Sequence, residues 1–320
     1  YMKTETRVHK TVKPKSSHSK RGFMYYVKRD WQLYLLLVFP VAMVIVFKYF
    51  PMAGLIIAFK DYKILKGFMG SEWVGFKNFA EVFSNKDFYR ALRNTLTLNG
   101  LDLLLGFPMP IILAIMLNEI KSLWYKKVNQ TLLYLPHFLS WVIIAGVAYQ
   151  LFQPRTGLVN ILLWNMGFNE VPFLTENTHW IFSYVFIGIW QSMGWGTIIY
   201  LAAITGINPE LYDSATIDGA GRWGKIRYIT IPSIRSTITI ILIINLGRIM
   251  GSSFERAQSL GNPIVKEVSS VIATYVYSAG IQAQKYSLTT AVGLFQSVVG
   301  LILVLISDWI SKKIGDEGLL

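Results

Sequence analysis

Apolar residues come along this chain in blocks of about twenty, parted by shorter polar intervals, and such a block at about 1.5 Å per residue matches the roughly 30 Å hydrocarbon core of a bilayer. Six blocks read as spans: residues 31–50, 91–117, 131–152, 180–206, 236–253 and 288–310. Pro40 predicts a bend in the first. The second is interrupted by Pro108 and Pro110 and carries Asn94, Asn99 and Asp102. Gly188, Gly194 and Gly196 punctuate the fourth, and small residues at such spacing let helices approach closely. Residues 268–281 are apolar over too short a run to cross, which predicts a re-entrant or interfacial helix. The aromatic run 73–83 predicts a further interfacial helix in the long loop 51–90.

Composition agrees with an all-α polytopic membrane protein of six transmembrane helices. Hydrophobic residues make up 53% of the chain and charged residues 15%, with a mean hydropathy of +0.41. No cysteine is present, which excludes disulfides, a thiol nucleophile and cysteine metal sites. Of the four histidines, His9 and His18 lie in the polar N-terminal tail, so no metal site is expected. The net charge of +13 raises nucleic acid as a partner, but 9 of the 31 Lys and Arg fall in the first 29 residues, ahead of the first span. That placement reads as a cytoplasmic flank, residues 1–28, and no nucleic-acid partner is expected. The first apolar run comes too late and is too long for a cleavable signal. Lys60, Lys63, Lys66, Lys77 and Lys86 go against the positive-inside rule in the loop 51–90. The tail, Lys121, Lys126, Lys127, Lys312 and Lys313 all fit one side, which places both termini in the cytoplasm.

The interval 208–232 is the long polar stretch in the second half of the chain. Asn208 can cap a helix that opens at Pro209, with Glu210 well placed in its first turn. The helix should stop near Asp218. Gly219 and Gly221 would supply φ > 0 or a close backbone approach, and a second short helix should run from Arg222 to about Ile229 until Pro232 ends it.

These residues resemble the EAA loop of membrane subunits from bacterial ABC importers. The matching positions are Asp213, Ser214 and Ala215, then Asp218, Gly219 and Ala220, then Ile226, Ile229, Ile231 and Pro232, with the family's spacing kept. Asp213 stands where the family usually has Glu, Ser214 replaces the first Ala, and Ile226 replaces Phe. The runs WVGFKNF, WQSMGWGTIIYLAAITGINPELYDSA and GNPIVKEVSSVIATYVYSAGIQAQKYSLTTAVGLFQSVVGLILVLISDWISKK extend the resemblance to the sugar-permease branch close to LplB.

The resemblance implies a type I ABC importer permease fold over residues 29–320, in a bacterial cytoplasmic membrane. It implies three kinds of protein partner: a second homologous permease, two cytoplasmic ATP-binding subunits, and an external or periplasmic solute-binding protein docking on loops such as 153–179 and 254–287. Glu210, Asp213, Ser214, Ala215, Asp218, Gly219, Ala220, Gly221 and Arg222 would form the ATPase-coupling site. The cargo would be an oligosaccharide, and an acidic, alginate-like uronate is the reading taken here. A neutral oligosaccharide is the alternative. A secondary transporter is the rival from another class, and it would need inverted repeats and a carboxylate relay for which Asp102 alone is thin support.

The sequence shows no phosphate loop, no HExxH and no GxSxG, so no catalytic residues are expected. No cofactor is expected in this chain, and ATP and Mg would be bound by the partner ATPases. Polar residues inside spans need a partner or a watery cavity. Arg248, with Asn245 three residues before it and Ser252 four after, would share one helical face and line a substrate pathway. Arg248 would offer a planar cation to a uronate carboxylate, or else it would pair structurally with Asp102 or Glu255. Gln191 and Gln296 are further pathway candidates, and Trp190 or Trp195 could stack on sugar rings.

Overall fold

The structure, a computed structural model, describes residues 23–251, 253–313 and 315. The basic tail up to residue 22, and Ser252 among the pathway candidates, lie outside the described residues. The regular elements of the described chain are helices, apart from a short antiparallel ladder of β1 (Lys60–Asp61) on β2 (Glu72–Trp73). Contacts divide it into two units, one ending at Leu55 and one beginning at Ile56.

The first unit holds a short helix, Phe23–Arg29, and most of the first span, which runs from Trp31 to Phe59 and so passes well beyond residue 50. Its Trp31–Val44 portion contains Pro40 and buries no residue within the chain. A helix apolar on all sides with no buried face suits lipid.

In the second unit three more helices are long and apolar enough to cross a membrane: Lys86–Glu119, Asn177–Thr205 and Tyr286–Lys313. Two further crossings are bent pairs, Leu123–Phe138 with Trp141–Phe152 at 102° and Arg222–Ser233 with Arg235–Gly247 at 59°. Six spans result when each pair counts as one.

The third span was expected to be continuous over 131–152, and it is not. Pro136 supplies no amide to the preceding turn, Leu139 turns extended, and Ser140 restarts the helix by accepting from the Ile143 amide at 3.4 Å. The fifth span, expected over 236–253, is regular only across Arg235–Gly247, about 20 Å of helix. The aromatic run 73–83 is helical only from Lys77, because Trp73 is taken up by β2.

The second span carries a π turn at Asp102–Gly106. Pro108 and Pro110 have no amide to offer the carbonyls of Leu104 and Gly106, and the widened turn takes up that loss. Its second half packs along the fourth span, around Ala114, Leu117, Tyr200 and Ile204.

At the end opposite the interval 208–232, residues 254–282 form short helices held down by the second and fourth spans. Asn94 Nδ2 donates to the carbonyls of Glu267 (2.8 Å) and Ser270 (2.9 Å). Trp180 Nε1 donates to the Leu260 carbonyl at 2.9 Å. Residues 268–281 are irregular helix, fastened where Asn94 meets the Ser270 carbonyl and Thr95 Oγ1 accepts from the Ile272 amide, with a π turn at Tyr277–Gln282.

Candidate functional site

The polar interval folds as a helical hairpin. Its first limb is Pro209–Ile217, capped by Asn208, whose Oδ1 accepts from the Glu210 amide and whose Nδ2 donates to Glu210 Oε2, both at 3.1 Å. The limb ends where Gly219 enters the left-handed region at φ 77°, so that the Ala220 amide can reach back to the Ala215 carbonyl at 2.8 Å. Gly221 does neither of the things expected of it. Its φ is −71°, and a Cβ there would meet nothing.

The second limb runs from Arg222 to Ser233 through a π turn at Ile226–Thr230, and so passes through Pro232 instead of stopping before it. Pro232 lies next to the π turn, where a widened ladder tolerates a missing amide. The limbs are tied by Lys225 Nζ to Thr216 Oγ1 (2.7 Å) and by the Tyr212 and Thr230 hydroxyls (3.0 Å). Arg222 Nε lies 4.0 Å from Glu119 Oε2 at the end of the second span. Ile217 and Trp223 stand 87% and 83% exposed. Among the described residues the carboxylates of Asp213 and Asp218 make no hydrogen bond or ion pair. The hairpin thus presents large apolar side chains and carboxylates at its surface.

Between the second, fourth and fifth spans lies a cavity of about 530 Å³. Its polar lining is Asn99, Asp102, Ser192, Tyr200, Asn245, Arg248 and Arg256, with Trp195 on one wall. Trp195 stacks on His137 at 4.7 Å between ring centroids. Arg248 is exposed and, among the described residues, its guanidinium makes no ion pair or hydrogen bond.

Arg256, in contrast, is only 8% exposed. Its Nη1 donates to Asp102 Oδ2 at 2.6 Å, and its Nη2 donates to Asp102 Oδ1 at 3.2 Å and to the Tyr184 carbonyl at 2.5 Å. The guanidinium also lies over the Tyr184 ring at 3.7 Å and near Trp141 at 5.4 Å. The close approach needs Gly188, where a Cβ would overlap the guanidinium. The Tyr200 hydroxyl and Arg256 Nε are buried without a partner.

Residues 106–316 match the family described as the inner membrane component of binding-protein-dependent transport systems. The chain belongs to that family. It is 44% identical over 298 residues to protein LplB of Bacillus subtilis (strain 168), covering 93% of this chain and 94% of that one. It is 41% identical to the polygalacturonan/rhamnogalacturonan transport system permease protein YteP of the same organism, covering 95% of each. Among solved structures it resembles a chain of a bacterial alginate ABC transporter in complex with an alginate pentasaccharide-bound periplasmic protein, with TM-score 0.84, 43% identity, and coverage of 93% of this chain and 99% of that one.

As a membrane-integral ABC importer permease, the chain gives each candidate residue a place. Arg248 and Asn245 meet in the cavity. Gln296 borders a second hollow of about 320 Å³ that Arg248 also lines, and its Nε2 donates to the Met250 carbonyl at 2.6 Å. Gln191 turns toward the His137 carbonyl at 3.5 Å. Trp190 lines neither hollow; its neighbour along the helix, Trp195, lines the first.

The structural pairing weighed for Arg248 belongs instead to Arg256, which sequence reasoning passed over. The helix breaks after Gly247, so phase counted from Asn245 no longer says which later residue faces Asp102. One signal was available: Asp102 inside a span demands a cation, and Arg256 was another in reach.

Proposed function

We propose that this permease moves acidic, uronate-bearing oligosaccharides inward. Arg248 carries the reading: a permanently charged guanidinium, unpaired among the described residues, in the polar cavity of the spans. An unpaired cation at that place is costly unless water or an anionic cargo meets it. Asn245 stands nearby for sugar hydroxyls. Support comes also from relatives that are named for polygalacturonan and alginate, both polymers of uronic acids.

In this reading the chain pairs with a second permease in a bacterial cytoplasmic membrane, both termini inside. It receives cargo from an external solute-binding protein, and two partner ATPases bind ATP and Mg. Closure of those ATPases moves the cleft that holds Pro209–Ile217. The tied hairpin passes the displacement to the fourth and fifth spans, which flank the cavity.

The test is ATPase activity of the reconstituted complex with acidic and neutral oligosaccharides. Stimulation by uronates should fall about tenfold or more in kcat/KM for Arg248→Ala, since a charge-assisted pair is worth about 1.5–3 kcal/mol. Stimulation by neutral sugars alone, untouched by Arg248→Ala, would overturn the acidic cargo.

A further inference from the structure

We propose that Asn99 and Gln296 are positioning residues for Arg248. They clamp the broken backbone that follows it and so hold its guanidinium at the mouth of both hollows. The inference rests on the reading of Arg248 as the residue that meets an acidic cargo.

The fifth span stops at Gly247, and Arg248 itself is no longer helical, with φ −99° and ψ 4°. The next helix begins at Phe254. In a continuous helix the carbonyls of Ile249, Met250 and Gly251 would bond to amides four residues on. Among the described residues that ladder is missing, in a part of the chain where Met250 is 3% exposed. Unpaired carbonyls in such surroundings are expensive, and broken helices persist there only when side chains replace the lost amides.

Two neighbouring spans make that replacement. From the second span, Asn99 Nδ2 donates to the carbonyls of Ile249 and Gly251, both at 2.7 Å. From the sixth, Gln296 Nε2 donates to the Met250 carbonyl at 2.6 Å. Three consecutive carbonyls receive three bonds, and a primary amide is the side chain suited to this: it is neutral and carries two donor hydrogens.

The remaining anchor lies on the same helical face as Asn99. Asp102, three residues along, holds Arg256 just beyond the break. Asn99 therefore fixes the start of the irregular segment while Asp102 fixes the helix that resumes after it. Arg248, directly ahead of the clamped carbonyls, is left with its backbone set and its side chain free toward both hollows. Gln296, a pathway candidate on sequence grounds, spends its amide on the backbone and faces the cargo only through Arg248.

The chain has no cysteine, so Arg248→Cys in the full reconstituted complex is its single thiol. Its rate of labelling by a cationic, water-soluble methanethiosulfonate reagent reports where the side chain at 248 sits. Asn99→Leu keeps the shape and removes both donors; Gln296→Met does so for the other clamp. Each should shift the labelling rate about fivefold or more, the loss of order one hydrogen bond.

With Arg248 restored, each variant should raise KM for acidic oligosaccharide about tenfold, as the loss of one or two such bonds implies, with kcat within about twofold. Asn99→Gln, which retains the amide, should recover part of the affinity. Labelling and KM unchanged in both Asn99→Leu and Gln296→Met would overturn the clamp, as would an equal loss of kcat for acidic and neutral sugars. If Arg248→Ala leaves uronate stimulation intact, the cargo reading fails by itself, and the labelling rates still decide whether Asn99 and Gln296 hold position 248.

Discussion

Asp102 and Arg256 form a two-point ion pair across the membrane-embedded part of the chain, with nitrogen–oxygen distances of 2.6 and 3.2 Å. The arginine side chain is 10% exposed and the aspartate 27%. The remaining donor on Nη2 goes to the Tyr184 carbonyl, and the guanidinium plane rests on the Tyr184 ring. One residue thereby joins the π turn of the second span, the fourth span at Gly188 and the second limb of the third span at Trp141.

Breaking this pair from one side leaves a charge stranded in low dielectric. Asp102→Leu should lower the stability of the assembled transporter by about 3 kcal/mol, whereas Asp102→Leu combined with Arg256→Met should recover more than half of that loss. Thermal unfolding of the purified complex measures both. Additive losses would show that the two side chains do not act as a pair.

The turn of the polar hairpin depends on Gly219 at φ 77°. Gly219→Ala should cost about 1–2 kcal/mol of hairpin stability, because a Cβ is strained in the left-handed region, and Gly219→Asn should be milder. Coupling is the readout: transport per ATP hydrolysed should fall in the order Gly, Asn, Ala. Equal coupling in all three would mean that the hairpin's shape does not carry the displacement.

Ile217 and Trp223 project from the two limbs with most of their surface open. Trp223→Ser and Ile217→Ser should leave the chain's own stability within about 0.5 kcal/mol, as surface changes do. Each should weaken capture of the ATPase subunits by about 2 kcal/mol, roughly thirtyfold in affinity, if these side chains are central to the interface. Co-purification of the ATPase with each variant, titrated with detergent-solubilised permease, reads that affinity directly.

Asp213 and Asp218, with their free carboxylates, and Glu210, engaged with Asn208, show how far local chemistry reached. The cap, the first limb and the left-handed glycine of this hairpin depend on neighbours in sequence, and each was readable from residue types and their spacing. The same holds for the long spans: a run of apolar residues matching the bilayer names a crossing regardless of what packs beside it. Pro232 departs from expectation because of the adjoining π turn at Ile226–Thr230, which no residue type announces, and Gly221 because Gly219 alone makes the turn and leaves it an ordinary extended N-cap.

The sequence by itself marked the apolar blocks, the membrane class and the place of the 208–232 hairpin along the chain, since these follow from local hydropathy and turn chemistry. Which arginine is free and which is buried was decided only in three dimensions. Helical phase predicts a shared face for as long as the helix continues, about 100° per residue, and at Gly247 it stops. Beyond that point position depends on donors brought from far along the chain: Asn99 and Gln296 to the carbonyls of 249–251, and Asp102 to Arg256. Met250 and Arg256, 3% and 8% exposed, have little water as an alternative partner, so the assembled spans, and not the local sequence, put Arg256 in the core and leave Arg248 on the cavity.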